Sequence, residues 1–452
     1  MFSTDHTNTS SRAGTPRFRL WAGLVTVAGI AGLVLVAVGL LGGRPSAAPA
    51  PDFVQSASKS GTDRLEAAID RAEERLRQVP GDYVTWAALG SAYLEKARIT
   101  VDPALYARAE EALDESLSIE PDENPAALSA LGALANARHD FGEARKLAQQ
   151  ALVLNPYDAN GYGVLADAET QLGNAEAANE AVQQMLDLRP ALPALARASY
   201  DLEQRGRVAE ARDLMERALA AAFDPADIAF CHHELGELAW HRGDLDEAEA
   251  QYAAAAAADP TYLPAREGLA QVAAARGDLD EALVSFAELT AAAPTPDHLL
   301  AYAEVLRAAG RDDEAEAQLS SAEAAHELFI ANGGEDDLTG AELAIARSRP
   351  AEALRLAQQE WERRQFADVA DTLAWALHLN GRDAEARAYA LRAGSLGARN
   401  AEYAYHLGMI ELSLGNSAAA KDHLSRALDI NPHFSPVEAP LAARTLAELE
   451  GS

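Results

Sequence analysis

Three side chains near the middle of the chain have the types and spacing of a metal site. His233, Glu237 and His241 recur at intervals of four. On one unbroken helical face, two imidazoles and a carboxylate could hold a divalent ion. The spacing alone does not carry that reading, because His241 falls in the His241-Arg242-Gly243-Asp244 turn and Cys231 and His232 face elsewhere. Cys231, the only cysteine, reads as a small core residue, and it excludes an intrachain disulfide. His139, His298, His378, His406 and His423 are scattered without an evident Ser, Cys or Asp partner. No glycine-rich phosphate loop, zinc-protease helix or nucleophile elbow appears. The expectation is a protein that is not an enzyme, with no catalytic residue, no cofactor and no resident metal. Accessory metal handling or cofactor loading through the histidine-rich centre is the alternative.

The elements that would position these residues are short helices in pairs. Ala229 to Pro260 reads as two amphipathic helices, the first with Leu235, Gly236 and Ala239, the second with Ala248, Tyr252 and Ala255. Gly236 and Ala248 have almost no side chain, so the two axes can approach closely. Neither helix can bury its apolar stripe alone, so the hairpin must stack on copies of itself. Copies are present. The small alanine of the second helix recurs at Ala109, Ala144, Ala178, Ala211, Ala248, Ala282, Ala315, Ala353, Ala386 and Ala420, at intervals of 33 to 38 residues.

That period, with Leu89-Gly90 or Leu269-Ala270 in first helices, Arg276-Gly277-Asp278-type turns and closing Asn155-Pro156 or Asp259-Pro260, resembles the tetratricopeptide repeat (TPR) family. The resemblance covers about residues 64 to 449. It implies an all-α solenoid of about ten hairpins over residues 62–435, with an N-terminal capping helix at 62–79 and a C-terminal capping helix and tail at 436–452. Caps are needed because an open end would expose apolar surface. Gly333-Gly334 reads as a hinge or a change in superhelical path.

The resemblance also implies that first helices line a concave groove. Carried over, the partner-binding positions are Tyr200, Phe230, His233, Glu237, Trp240, Glu267, Glu304, Asp371, Trp375 and Tyr405, with Glu203, Gln271, Leu300 and Glu342 beside them. Such an acidic groove with aromatic patches suits another protein, through a segment carrying basic and apolar residues. Family members that bind chaperone C-terminal carboxylates need Lys, Arg and Asn on this face, and that branch is disfavoured.

With 38 basic and 70 acidic side chains the formal charge is −32, a field that repels phosphate backbones and argues against nucleic-acid binding. Residues 1–19 form a polar tail carrying Arg12, Arg17 and Arg19. Residues 20–42 contain no charge and are long enough for a transmembrane helix. A signal peptide's apolar region is shorter, at about 7 to 15 residues, so an uncleaved anchor is expected over a cleaved, secreted form. Only Arg44 follows the span closely, which places the N-terminus in the cytoplasm and the repeats on the extracytoplasmic side of the cell membrane. Residues 43–61 form a Pro/Ala/Ser linker.

Overall fold

A computed structural model describes residues 61–451; the expected tail, membrane span and most of the linker lie outside them. Among the described residues there are 22 helices and no strand, and none of the helices is long and apolar enough to cross a membrane. Helix α1 (Gly61–Gln78) precedes ten hairpins. They are α2 (Tyr83–Thr100) with α3 (Leu105–Ile119), α4 (Pro125–Ala137) with α5 (Phe141–Leu154), and α6 (Ala159–Gln171) with α7 (Ala175–Leu188). Next come α8 (Leu192–Gln204) with α9 (Val208–Ala221), α10 (Pro225–Trp240) with α11 (Leu245–Ala258), and α12 (Leu263–Arg276) with α13 (Leu279–Ala292). Then follow α14 (Pro296–Ala308) with α15 (Asp312–Ala331), and α16 (Asp337–Ala346) with α17 (Pro350–Arg363). The last two pairs are α18 (Ala367–Leu379) with α19 (Asp383–Ala393) and α20 (Ala401–Ser413) with α21 (Ser417–Ile430), before α22 (Glu438–Gly451).

All ten marker alanines are buried, none more than 3% exposed. What faces them is small for a physical reason. A Cβ on Gly90 would lie 2.9 Å from the Ala109 carbonyl oxygen, and one on Gly132 would lie 3.3 Å from that of Ala144. At the same level of α8 the Ser199 hydroxyl donates to the Ala211 carbonyl at 2.8 Å. In the central hairpin the neighbour of Gly236 is not Ala248 but the Tyr252 ring, which would sit 2.5 Å from an added Cβ. Helix starts are set by side-chain caps: Asp82, Asn124, Asp140, Asp158, Asp244 and Asn400 each accept from a backbone N–H in the first turn.

The stack curls until it meets itself. The turn inside an early hairpin packs against the loop between two late ones, at sequence separations of 191 and 193 residues. The Glu335 N–H donates to the Arg138 carbonyl at 2.8 Å. The Arg364 guanidinium donates to the Gln171 side chain and lies 5.1 Å from the centre of the Phe141 ring. Asn431 Nδ2 donates to the Trp240 carbonyl at 2.8 Å, and the Ser435 hydroxyl donates to Glu304 at 2.6 Å. The Asn332-Gly333-Gly334 break belongs to this contact: Gly333 lies beside the Arg138 side chain, and Phe329 packs on His139 with ring centres 5.2 Å apart. It docks one superhelical turn on the other.

Two turn glycines show what this contact demands. Gly206 and Gly310 hold the same place in their hairpins and both have positive φ, 70° and 73°. A Cβ on Gly206 would come 2.3 Å from the Gly397 carbonyl oxygen, whereas one on Gly310 meets nothing within 4 Å. Both Gly206→Ala and Gly310→Ala incur the left-handed backbone cost of about 1 kcal/mol. Only Gly206→Ala should also part the two superhelical turns, measured as a larger radius of gyration in solution scattering. Equal radii for the two variants would contradict the contact.

Candidate functional site

Closure of the superhelix gathers the first helices around an interior, and these helices carry carboxylates. Glu203 comes from α8, Glu234 and Glu237 from α10, Glu267 from α12, Asp297 and Glu304 from α14, Glu342 from α16, Asp368 and Asp371 from α18, and Glu402 from α20. They act on one another between nearby hairpins. Burial, then Asp297, Asp336, Asp368 and Glu402, push the Glu342 carboxyl well above the ordinary range. Glu342 is only 5% exposed, and its Oε1 accepts no hydrogen bond. Burial, then Glu237 and Glu203, raise Glu234 to about 8. Burial also raises Asp368 to about 6, against the hydrogen bond that Tyr403 donates to it.

A cavity of about 190 Å³ lies where the two turns face each other. From the early turn it is lined by Arg197, Tyr200, Gln204, Phe230 and Glu234, and from the late turn by Phe366, Arg392 and Leu396. Arg197 is fixed by a two-pronged pair with Asp167, at 2.7 and 2.6 Å. Tyr200 packs on Leu338, Phe366 and Val369. Such a chamber, apolar in body with a few charged groups at its edge, has the character of a ligand or side-chain pocket.

The expected binding positions divide into two sets. Tyr200 and Phe230 reach the cavity, while Glu237, Glu267 and Glu304 lie on the acidic interior but already have partners. Glu237 accepts from the Tyr252 hydroxyl at 2.6 Å, and Glu267 is 3.5 Å from His298 Nε2. His233 sits between the rings of Tyr252 and Tyr262, at 5.8 and 5.7 Å. The other four require correction. Trp240, Asp371, Trp375 and Tyr405 are at most 8% exposed and offer no surface to a partner. Trp240 is held by α11 and α12 and by the Asn431 contact beneath the second turn. Trp375 is stacked between His378 and His406, and Tyr405 packs on Phe434. Sequence spacing places these residues on first helices, but it does not show that neighbouring late repeats pack over Asp371, Trp375 and Tyr405 or that the second turn reaches Trp240.

The histidine-rich centre also resolves differently from a metal site. His241 Nδ1 is 2.7 Å from Glu203, and both His233 and His241 stay 3.9 Å from Glu237, whose other commitment is Tyr252. Burial pushes the Cys231 thiol up to about 12, which agrees with a core residue and opposes a nucleophile. A cluster the sequence reading passed over lies instead at the C-terminal end. There His406 Nδ1 is 2.6 Å from Asp371 Oδ2, with Glu402 and Glu438 beside the ring. The i, i+4 spacing of Glu402 and His406 is visible in sequence; the arrival of Glu438 from the cap is not.

Glu342 and Glu234 titrate higher in the folded chain than in the unfolded one. Their contribution is therefore complete below the ordinary glutamate value of 4.5 and is lost as pH rises through the folded values, about 8 for Glu234. Thermal stability should fall between pH 6 and pH 9. Glu342→Gln should remove part of that fall. A melting temperature that holds or rises across this interval, or a slope unchanged in the variant, would contradict the acidic interior.

Comparison with known proteins agrees with this architecture. Tetratricopeptide repeat models match residues 239–300, 195–263 and 401–434. No curated protein matches the chain. Among solved structures, a tetratricopeptide repeat protein from Parabacteroides merdae aligns at 17% identity, covering 57% of this chain and 98% of that one, with a TM-score of 0.35. PilW, a type IV pilus biogenesis factor, aligns at 23% identity over 46% of this chain and 97% of its own, with a TM-score of 0.39. The human IFIT1 dimer with PPP-AAAA aligns at 14% identity over 82% and 95%, with a TM-score of 0.44. Residues 195–300 and 401–434 are thus tetratricopeptide repeats, and the described residues 61–451 that carry them form an all-α repeat solenoid.

Proposed function

We propose that this chain is a non-enzymatic scaffold, tethered to the cell membrane through residues 20–42, that holds a protein partner by the interior of its superhelix. The cavity between the turns carries this reading: Tyr200, Phe230 and Phe366 supply apolar walls and Glu234 an acidic edge. Repeat solenoids use curved surfaces of this kind for binding, with few other places for a ligand. A partner segment with an apolar side chain next to Lys or Arg matches the chamber, and the −32 net charge would speed its approach. Tethering rests on the uncharged stretch of 23 residues at 20–42, preceded by three arginines. Metal handling by His233, Glu237 and His241 is not favoured, since Tyr252 and Glu203 already occupy Glu237 and His241.

The test is affinity capture of the tagged full chain from solubilised membranes, with Tyr200→Ala and Phe230→Ala compared with the unaltered protein. Each truncation should cost about 1–2 kcal/mol of partner affinity, a loss of about five- to thirtyfold. Glu234→Lys should weaken capture further through charge. Unchanged recovery in all three variants would remove the interior as the binding surface.

A further inference from the structure

The C-terminal cap brings together three side chains that the protein-binding reading does not use. Glu402 and His406 lie one turn apart on α20, and Glu438 begins α22. One ligand atom from each lies within 4.8 Å of the other two. His406 is 1% exposed, and its ring is held between Trp375, stacked at 4.2 Å, and Tyr405 at 5.6 Å. Asp371, fully buried, takes one ring nitrogen: its Oδ2 is 2.6 Å from Nδ1. The other nitrogen, Nε2, has no hydrogen-bond partner and is aimed at Glu438 Oε2, 4.0 Å away. Glu402 Oε1 is likewise buried without a hydrogen bond.

Left like this, the site is costly. An unsatisfied buried polar atom costs about 1–3 kcal/mol, and adjacent carboxylates repel. A small cation between the three groups would relieve both. We propose that Glu402, His406 and Glu438 bind one divalent transition-metal ion, zinc being the best match, with Asp371 orienting the histidine ligand.

The arrangement has the chemistry such a site needs. An Nδ1–H donated to Asp371 leaves the Nε2 lone pair on the open side, the carboxylate–histidine–metal relay found behind zinc ligands. Zinc bonds of about 2.0–2.2 Å to nitrogen and oxygen place tetrahedral ligands about 3.4 Å apart. The 4.0 Å separation and the 4.8 Å limit close to that with small side-chain shifts. A mixed nitrogen and oxygen set favours zinc over calcium or magnesium, which take oxygen alone. Bound there, the ion would tie the cap α22 to α20. Ser435, three residues before Glu438, grips Glu304 in the other superhelical turn, so the same ion would brace the closure.

The full chain, stripped with a chelator, would be titrated with zinc chloride against a chromophoric competitor. One equivalent per chain is expected, and His406→Ala should lose it. Asp371→Asn, which leaves every ligand in place, should weaken affinity about 10- to 100-fold. The His233→Ala/His241→Ala double variant should bind as the unaltered chain does. Cobalt in place of zinc should show intense tetrahedral absorption bands that His406→Ala abolishes. Should His406→Ala misfold by circular dichroism, the near-isosteric Glu402→Gln decides in its place, with weakened binding expected. Less than half an equivalent in the unaltered chain would overturn the proposal. Equal zinc affinity in Glu402→Gln and the unaltered chain would overturn it too.

Discussion

Between Gly206 and the carbonyl oxygen of Gly397 there is no room for a methyl group. That backbone-to-backbone approach, repeated between Gly173 and Gln365 and accompanied by the Pro432 ring against Gly243, is the constraint on which the molecule's interior depends. Local hairpin packing would be satisfied equally well by an open arc. It is the meeting of hairpin turns from one end with inter-hairpin loops from the other that converts a groove into an enclosed space. Arg364 shows how much is committed to it. Its guanidinium is buried against Glu360, donates to Gln171 and lies over Phe141, so one side chain spans both turns.

Enclosure explains the electrostatics. Carboxylates such as Glu342, Asp368 and Glu402 sit on the first helices of three consecutive hairpins. Near one another along the stack and buried in the interior, they resist ionisation, because burial and like charge act in the same direction on a carboxyl group. The interior accordingly asks for positive charge. A basic segment of a partner and a metal ion at the cap are two ways of supplying it, at different places and with different chemistry.

The hairpins were legible in the sequence because each alanine marker reports a contact with a residue only a few positions away in the same motif. Ala144 and Ala420 occupy equivalent buried places, as their spacing predicts. Helices α1 and α22 stand at the two ends of the stack, with Leu76 and Leu446 packed against it. The superhelical contact was not. Gly206 and Gly310 look identical in sequence, and only the distance to a loop 191 residues away separates their roles. Trp375 and Tyr405 read as groove residues although packing against neighbouring repeats buries them, and His406 read as solitary although Asp371 and Glu438, from the elements on either side, flank it. A repeat pattern encodes the neighbour-to-neighbour step; the pitch is a small angle accumulated over many steps, and no single residue carries it.

The most direct check of the closed superhelix is the distance between spin labels at Arg207 and Arg399, exposed positions on either side of the Gly206–Gly397 contact, in the full chain. A closed superhelix gives one short, narrow distance, unaltered by adding a label-free excess of the protein. A long or broad distribution would mean that the two turns do not touch, and the enclosed acidic interior would go with them.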